Sequence, residues 1–465
     1  MPQISIKNQK WKAALQDIWP LNRVHVSTEM SLAYRILQKY YKELKIFGYK
    51  SGQKINGWEI PKGWDVIKAI LKDSNGNIIA DYSKNKLCLW TYSPSFKGRV
   101  SSKKIKKNFF YNKKKPKSTL FHFRNQYNFH NPKWGFSLPY DKIKNFKDSF
   151  FDVDIKTKFF NSKLEMAEQV HHGKKKKSIL FVGHFDHPQM CLDGLVGCLA
   201  GHEVISRMQN RKTRFTYRML STVEIIGSVF YAKNNAKKNK IKQAMFLATS
   251  GAKENIHYQH TFNGNTLIDQ ATKHCLKYFQ SNFKSSLFRK GPLGNDETAF
   301  DVGGINIPCG SLMRAPYKNY HTDKDRPSGV SEKNLEEVIN LVLEIIFIIE
   351  NNYYIKRKFY GLPKLSSKKI DLYLQPPTVS GLKLKNNAEI YKKLYKDLDP
   401  KSLNYVKRNT NKWNYLMNVI PNMCEGDKTI LDIAEYSGLP FKFVFNYLDQ
   451  WSKKGLVKKI WKDQF

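Results

Sequence analysis

No two of the six cysteines stand in a CxxC pair. Cys88, Cys191, Cys198, Cys275, Cys309 and Cys424 are scattered along the chain, which speaks against a disulfide framework and predicts reduced thiols in a cytoplasmic protein. No apolar run is long enough to cross a bilayer, so no membrane partner is expected. The opening MPQISIKNQKWKAALQDIWP lacks the apolar core and small-residue cleavage site of a secretory signal. Acidic residues are scarce: 39 against 80 lysines and arginines, a net charge of +41.

Such a charge invites a nucleic-acid reading, because cationic surface releases counterions from phosphate. Most of the excess is lysine, accompanied by many asparagines, a mixture that codon bias spreads over any exposed surface. A dedicated phosphate face more often favours arginine, whose planar fork suits phosphate. The clusters Lys103 to Lys107, Lys113 to Lys117, Lys174 to Lys177 and Lys453 to Lys459 fall in unrelated elements. A generic solvated surface is therefore expected, with nucleic-acid binding that is not specific.

At 465 residues with 41% hydrophobic content, the chain can bury more than one core. Its first part opens with helical spacing over MSLAYRILQKYYKELKIFG, Met30 to Gly48, and continues in short β-branched and aromatic runs around the turn Ser74-Asn75-Gly76-Asn77. Next, strand-like KKSILFVGHFDH leads into helix-like GLVGCLAGHEVISRM, and RFTYRMLSTVEIIGSVFYAKNN repeats that order. The alternation predicts an α/β mixed sheet with helices on both faces, whose ligands gather at the carboxyl ends of strands. Ser331 can cap a helix that begins with Glu332. Near the end, TILDIAEYSGLPFKFVFNYLDQWSKKGLVKKI reads as helix, turn at Ser437-Gly438, amphipathic helix and basic strand, a winged-helix pattern. Its second helix carries Phe441, Phe443, Val444, Phe445, Tyr447 and Leu448, so it is expected to pack on protein rather than read a DNA groove.

The stretch HFDHPQMCLDGLVG, His184 to Gly197, places two histidines and two aspartates at a strand end. Further candidates stand at other strand or loop ends: Glu224 in TVEIIGS, Asp296 and Glu297 in GNDETAF, His321 in PYKNYHTDKD, and Asp325. Imidazoles with a bridging aspartate are a usual hydrolytic zinc set, because the metal polarises a carbonyl and acidifies water.

At these residues, and at SGQKINGWEIPKGWDV, WGFSL, GINIPCGSLMRAPYKNYHT and LDIAEYSGLPF, the chain resembles the aminopeptidase-like proteins with an inserted β-rich domain and a C-terminal winged helix. These are relatives of the co-catalytic zinc aminopeptidases, and their genes are often associated with surface-polysaccharide synthesis. The resemblance covers nearly the whole chain. It implies an aminopeptidase-like α/β domain over 1–50 and 142–355, an inserted β-rich domain over 51–141 and a winged helix over 375–465. It also implies a zinc-dependent hydrolase of a peptide or N-acyl amide, with metal ligands His187, Asp193, Glu224 and His321. The tetrapeptide GHFD makes His184 a rival first ligand. Glu224 and Asp296 are the catalytic candidates, Asp296 to orient a ligand or the substrate amine. The family's flanking asparagines are Leu192 and Gly194 here, and its Gly-Asp-Asp is GAKE, with Ala252 and Lys253 in place of the aspartates and Glu254 as the only nearby acid. One tight zinc rather than two is therefore expected, Asp193 with His187 or His184 making a weaker second place. The alternative is a catalytically degenerate binding or scaffolding protein whose winged helix docks a protein partner or nucleic acid.

Overall fold

The computed structural model describes residues 10–144, 146, 149–279, 282–292, 294–375 and 388–465. The described chain divides into two compact units, one taking residues 10–264 together with 284–339, the other 265–283 and 340–465.

The first unit is organised by a mixed sheet. Its strands are β1 (Lys45–Lys50), β2 (Lys163–His171), β3 (Ser178–His184), β4 (Thr216–Thr222), β5 (Ile241–Ala248), β6 (Ile256–Gln259), β7 (Phe283–Ser286) and β8 (Cys309–Arg314). They lie in the order β1-β2-β4-β3-β5-β8-β6-β7. The central four, β4-β3-β5-β8, run parallel, while β1, β2 and β6 pair antiparallel. Every residue of β3 and β8 is buried, as is all of β5 but Lys242. Strands buried at successive residues must be covered on both faces, so α3 (Leu195–Met208) and the other flanking helices are a requirement of the sequence rather than an ornament. Helix α3 rides so close to β5 that a Cβ on Gly197 would stand 2.2 Å from the Leu247 carbonyl oxygen.

Before the sheet come α1 (Lys10–Ile18) and α2 (Thr28–Tyr40), and after β4 comes the short α4 (Ile226–Tyr231). Ser27 caps α2 by accepting from the Met30 amide. The helix stops at Tyr40, short of the Gly48 that the spacing predicts. Lys45 to Lys50 instead form the edge strand β1, in register from Lys45↔Glu168 to Lys50↔Lys163. A ladder of long-range backbone hydrogen bonds here overrides local helical spacing.

A four-stranded sheet of Ile78–Asp81, Gly63–Lys72, Phe150–Phe160 and Phe96–Ser101, in that order, makes the β-rich part. The expected turn joins the first two, its Asp73 carboxylate accepting from the Asn75 and Asn77 amides. The strand Phe150–Phe160 lies beyond the 51–141 segment, yet pairs here because its alternating Phe151, Val153 and Ile155 complete a core with Trp64, Leu71 and Tyr92.

The second unit contains α5 (Leu267–Phe279), the later part of α6 (Glu332–Asn351), and α7 (Asn411–Met423), α8 (Ile430–Ser437) and α9 (Phe441–Lys453). A small antiparallel sheet has Tyr354–Arg357 between Glu425–Thr429 and Val457–Ile460. Thr429 and Asp432 form a capping box at the start of α8, and Gly438 closes it with φ 65°. The boundary expected at 375 adjoins residues outside the described set. On α9, Phe441, Phe443, Val444, Tyr447, Leu448 and Trp451 are buried. Phe445 is half-buried against Phe347. Even Lys442 is buried, its Nζ 2.6 Å from Glu344 and its charge over the Phe347 ring. Trp451→Ala should destabilise this unit by about 3–5 kcal/mol, the cost of a large core cavity. Chemical denaturation followed at Trp and far-ultraviolet signals checks this; a loss under about 1 kcal/mol would contradict the packing.

Candidate functional site

Three chain ends converge beyond the carboxyl edge of the parallel strands. β3 ends at His184 and continues through a buried loop to Asp193; β4 ends at Thr222, two residues before Glu224; and the segment after β8 brings His321. The loop is held from both sides. Below it, the buried Arg23 guanidinium donates to the carbonyls of Phe185 (2.8 Å), Met190 (2.5 Å) and Ile18 (3.0 Å). Above it, buried Asp325 accepts from the amides of Leu192 and Asp193, each at 2.9 Å, and from the Tyr317 hydroxyl. Gly194, with φ 142°, then starts α3. Any Cβ at this position would lie 1.8 Å from His184 Cδ2, so the missing side chain is what lets the His184 ring approach Asp193.

Asp193 is the centre. Its Oδ1 is 3.2 Å from His184 Nε2, and its Oδ2 is 3.1 Å from His321 Nε2 and 3.5 Å from His187 Nδ1. His187 Nε2 lies 3.1 Å from Glu224 Oε2, which also accepts from the Tyr127 hydroxyl at 3.3 Å. Asp186 accepts from the Glu224 amide, fixing that residue's backbone. Two overlapping sets, His184 with His187 and Asp193, and Asp186 with His187 and Glu224, bring their donor atoms within 4.8 Å of one another. Asp193 Oδ2, His321 Nε2, Asp186 Oδ2 and Asp296 Oδ2 are all buried without a hydrogen-bond partner among the described residues. Buried polar atoms are rarely left so. Backbone strain gathers here too: His187, Ile225 and His321 have φ of 84°, 57° and 55°, a region β-branched and bulky residues seldom enter.

Burial alone would lower the His187 pKa, but the Asp193 and Asp186 carboxylates push it up to about 10. For Asp193, burial is outweighed in the other direction by the three imidazoles, which hold its carboxyl well below the usual range. Glu224 is likewise lowered, burial losing to its contact with His187. Asp186 lacks so close a cation, and burial lifts it to about 6. Without a metal, protons on His184 and His187 therefore offset the carboxylates, the charge a dication would otherwise supply.

All five sequence candidates for metal binding, His184, His187, Asp193, Glu224 and His321, are brought together. Asp296 lies one layer out: fully buried, it accepts from Ile225 N and Ser228 Oγ, and its Oδ2 is 3.6 Å from His184 Nδ1. Of its two expected tasks, this geometry suits orienting a ligand. Lys253 does not bring a cation to the cluster; it is exposed, and among the described residues no hydrogen bond or ion pair joins it to the site. Glu254 does not replace the missing aspartates either. Its Oε1 is 3.5 Å from the Lys318 amide, and its carbonyl accepts from Arg314.

The sequence reading passed over Arg23, His25 and the aromatic segment Phe121 to Tyr127. The Phe121 ring lies tilted with its centroid 4.9 Å from that of His187 and edge-on at 5.4 Å from that of His321, and its amide donates to the His321 carbonyl. His25 Nε2 is 3.6 Å from Asp186 Oδ2, while burial lowers its pKa to about 3 and keeps it neutral. None of these sits in a local motif, so only the fold could reveal them. Asp186 was legible in GHFD. Beside Glu224 opens a cavity of about 710 Å³ whose lining includes Trp58, Glu59, Gln126, Tyr127, Phe129 and Ile225.

The family model described as "Domain of unknown function (DUF4910)" matches residues 12–352. The chain belongs to that family. A Clostridium acetobutylicum protein named for polysaccharide biosynthesis and an aminopeptidase-like domain is 28% identical over 341 residues, 73% of this chain and 77% of the relative. A crystal structure from Clostridium acetobutylicum, named as a peptidase, has a TM-score of 0.79 at 24% identity and covers 97% of this chain and 96% of its own. The zinc aminopeptidase BSAP of Bacillus subtilis follows at a TM-score of 0.53 and 13% identity, covering 73% of this chain and 94% of its own. The fold is thus aminopeptidase-like: a mixed sheet flanked by helices.

Gly194→Ala should push the His184 ring off Asp193 and cost about 2 kcal/mol or more, since both the left-handed backbone and the space exclude a side chain. Thermal denaturation and His NMR shifts check it; an unshifted midpoint and spectrum would refute the role given to this glycine.

Proposed function

We propose that this protein is a zinc-dependent, aminopeptidase-like hydrolase of an amide bond, in a peptide or an N-acyl group, working at the cluster around Asp193. One observation carries the reading. Asp193 Oδ2 and His321 Nε2 are buried 3.1 Å apart and share no hydrogen bond, and a cation placed between them would satisfy both. The surrounding donors are imidazole nitrogens and carboxylate oxygens, a set that suits zinc. In this reading Asp193, Glu224 and His321 hold one tight zinc, and His187 or His184 with Asp193 a weaker second.

A zinc held there would polarise the scissile carbonyl and make an attacking water more acidic. The chain's own groups do the rest. Glu224, kept ionised, is assigned both to the zinc and to the proton transfer, so it would take a proton from water and return it to the leaving amine only through the carboxylate oxygen that the zinc leaves free. Tyr127, whose hydroxyl already reaches Glu224, stands on the cavity wall where it can donate to charge developing on the carbonyl oxygen. Asp296 keeps His184 in orientation. Trp58 and Tyr127 offer ring faces to the substrate, and the name of the Clostridium relative supports a place in surface-polysaccharide synthesis. Six buried free cysteines support a reducing, cytoplasmic setting, and among the described residues no helix is long and apolar enough to cross a membrane. Because α9 spends its apolar residues within its own unit, that unit is read as a packed appendage or protein-docking surface, and nucleic acid as an unspecific partner.

Elemental analysis of protein loaded at micromolar zinc should find about one zinc per chain. His187→Ala should lower zinc affinity more than His184→Ala, because His187 belongs to both donor sets. The reverse order would reassign the ligand, and a zinc-free protein after loading would sink the reading. Since His187 is protonated at neutral pH in the metal-free protein, zinc must displace that proton. Binding should therefore release protons and strengthen as pH rises, which calorimetry in buffers of different ionisation heat can detect. Trp58→Ala should raise KM about tenfold or more with kcat little changed if the cavity binds substrate before chemistry.

A further inference from the structure

At the opposite end of the parallel strands from the histidine cluster lies a second cavity, also of about 710 Å³, whose lining includes Lys175, Lys176, Lys177, Lys233, Lys237, Lys240 and Lys242. Lysine and arginine together are 80 of 465 residues, so fourteen residues at the chain average would include two or three. Among the described residues this lining has seven lysines in fourteen, and no carboxylate. Codon bias explains a cationic surface. It does not explain this concentration in a concave place, drawn from separate segments of the chain.

The segments are tied together. Ser178, the first residue of β3, donates its amide to the Lys240 carbonyl at 2.9 Å and its hydroxyl to the Asn239 carbonyl at 2.7 Å, which locks the lysine run before β3 against the turn before β5. Lys240 is itself held at φ 51°, a conformation that glycine or asparagine would adopt with less strain. The floor is small or aliphatic: Ala232, Ala236, Ile241 and Ile307 are buried, so lysine stems can lie along it with their ammonium groups toward solvent. Like charges gathered over one cavity repel, and an anion relieves the repulsion. β3 is seven residues long, which at about 3.3 Å per residue sets this cavity about 20 Å from His184. It is not part of the metal cluster.

We infer that this cavity is a binding site for a linear oligophosphate. Several cations from separate segments need several anionic groups in a row, more than one phosphate ion offers. Lysines are flexible point charges, suited to a chain of phosphoryl groups rather than to one fixed bidentate contact. Among the described residues no aromatic ring lines the cavity, so none of them stacks a nucleobase there. The ligand is either free inorganic oligophosphate or the phosphate tail of a nucleotide whose base stays outside.

The test is calorimetric titration of the full chain with tripolyphosphate, ATP and adenosine, repeated for K233Q/K237Q/K240Q and for a control, K103Q/K104Q/K106Q, in a lysine cluster elsewhere. Thermal midpoints establish that both variants fold. Tripolyphosphate should bind, and the cavity variant should lose about tenfold or more in affinity while the control loses little, with a steep salt dependence for the intact protein. ATP binding as tightly as tripolyphosphate identifies a nucleotide tail; a clear preference for tripolyphosphate identifies the free chain. Equal losses in the two variants, absence of binding, adenosine binding as ATP does, or a short DNA duplex outcompeting tripolyphosphate at the same lysines would each overturn the assignment. Zinc content should be unaffected by the cavity variant, so this result stands or falls separately from the metal reading.

Discussion

One buried carboxylate sets the terms for the first unit. Asp193 is almost wholly removed from water and faces three imidazoles. An isolated carboxylate in such a place would cost far more than a domain can sustain. Everything around it can be understood as keeping cations close to it. Asp325 and Arg23 shape the loop that carries it, and Gly194 vacates the space through which His184 reaches it. The strained backbone at His187 and His321 follows, because the loop after β3 and the segment after β8 must each turn a ring inward. Strain of this sort persists only where surrounding packing over-determines it, and the fully buried strands β3 and β8 provide that packing.

The sheet was legible because its strands carry unbroken apolar runs, which burial on both faces demands, and because each run ends in a polar cluster. The same logic exposed His184, His187, Asp193, Glu224 and His321, since each stands where a strand or loop meets the carboxyl edge. Legibility failed where partners come from distant chain. His25, Arg23 and Phe121 sit in stretches with no motif of their own, and only their approach to the 184–193 loop gives them meaning. It failed also at Lys45–Lys50, where helical spacing persists in the sequence but a long-range ladder to β2 wins. Lys253 stands in GAKE where the resemblance puts an aspartate, and whether its side chain meets the cluster depends on the loop, which leaves it exposed.

The segment between the first strands and Phe150 changes what the cluster can meet. In a two-layer core alone, the strand ends would open to solvent. Here Phe121, Phe123 and Tyr127 close over His187, His321 and Glu224. Rings against the imidazoles lower the local dielectric and strengthen every charge interaction beneath them. They also direct access toward the cavity that Trp58 and Tyr127 line. This segment is thus what separates the cluster from solvent on that side.

The chain's large positive charge acts on a different scale from the cluster. Salt screens exposed charges beyond about 8 Å at physiological ionic strength, so most surface lysines contribute little to the potential at Asp193. Desolvation makes the near pairs dominant. The acidic residues, few overall, are disproportionately telling for that reason: Asp186, Asp193, Asp296, Glu297 and Asp325 are among the most buried side chains in the unit. A chain with 39 acidic residues against 80 basic ones, which nonetheless seals five acids at the edge of one sheet, is holding negative potential in one place. The arrangement gathers imidazole and carboxylate donors that could hold a metal ion, and the lysines stand mostly on the exterior.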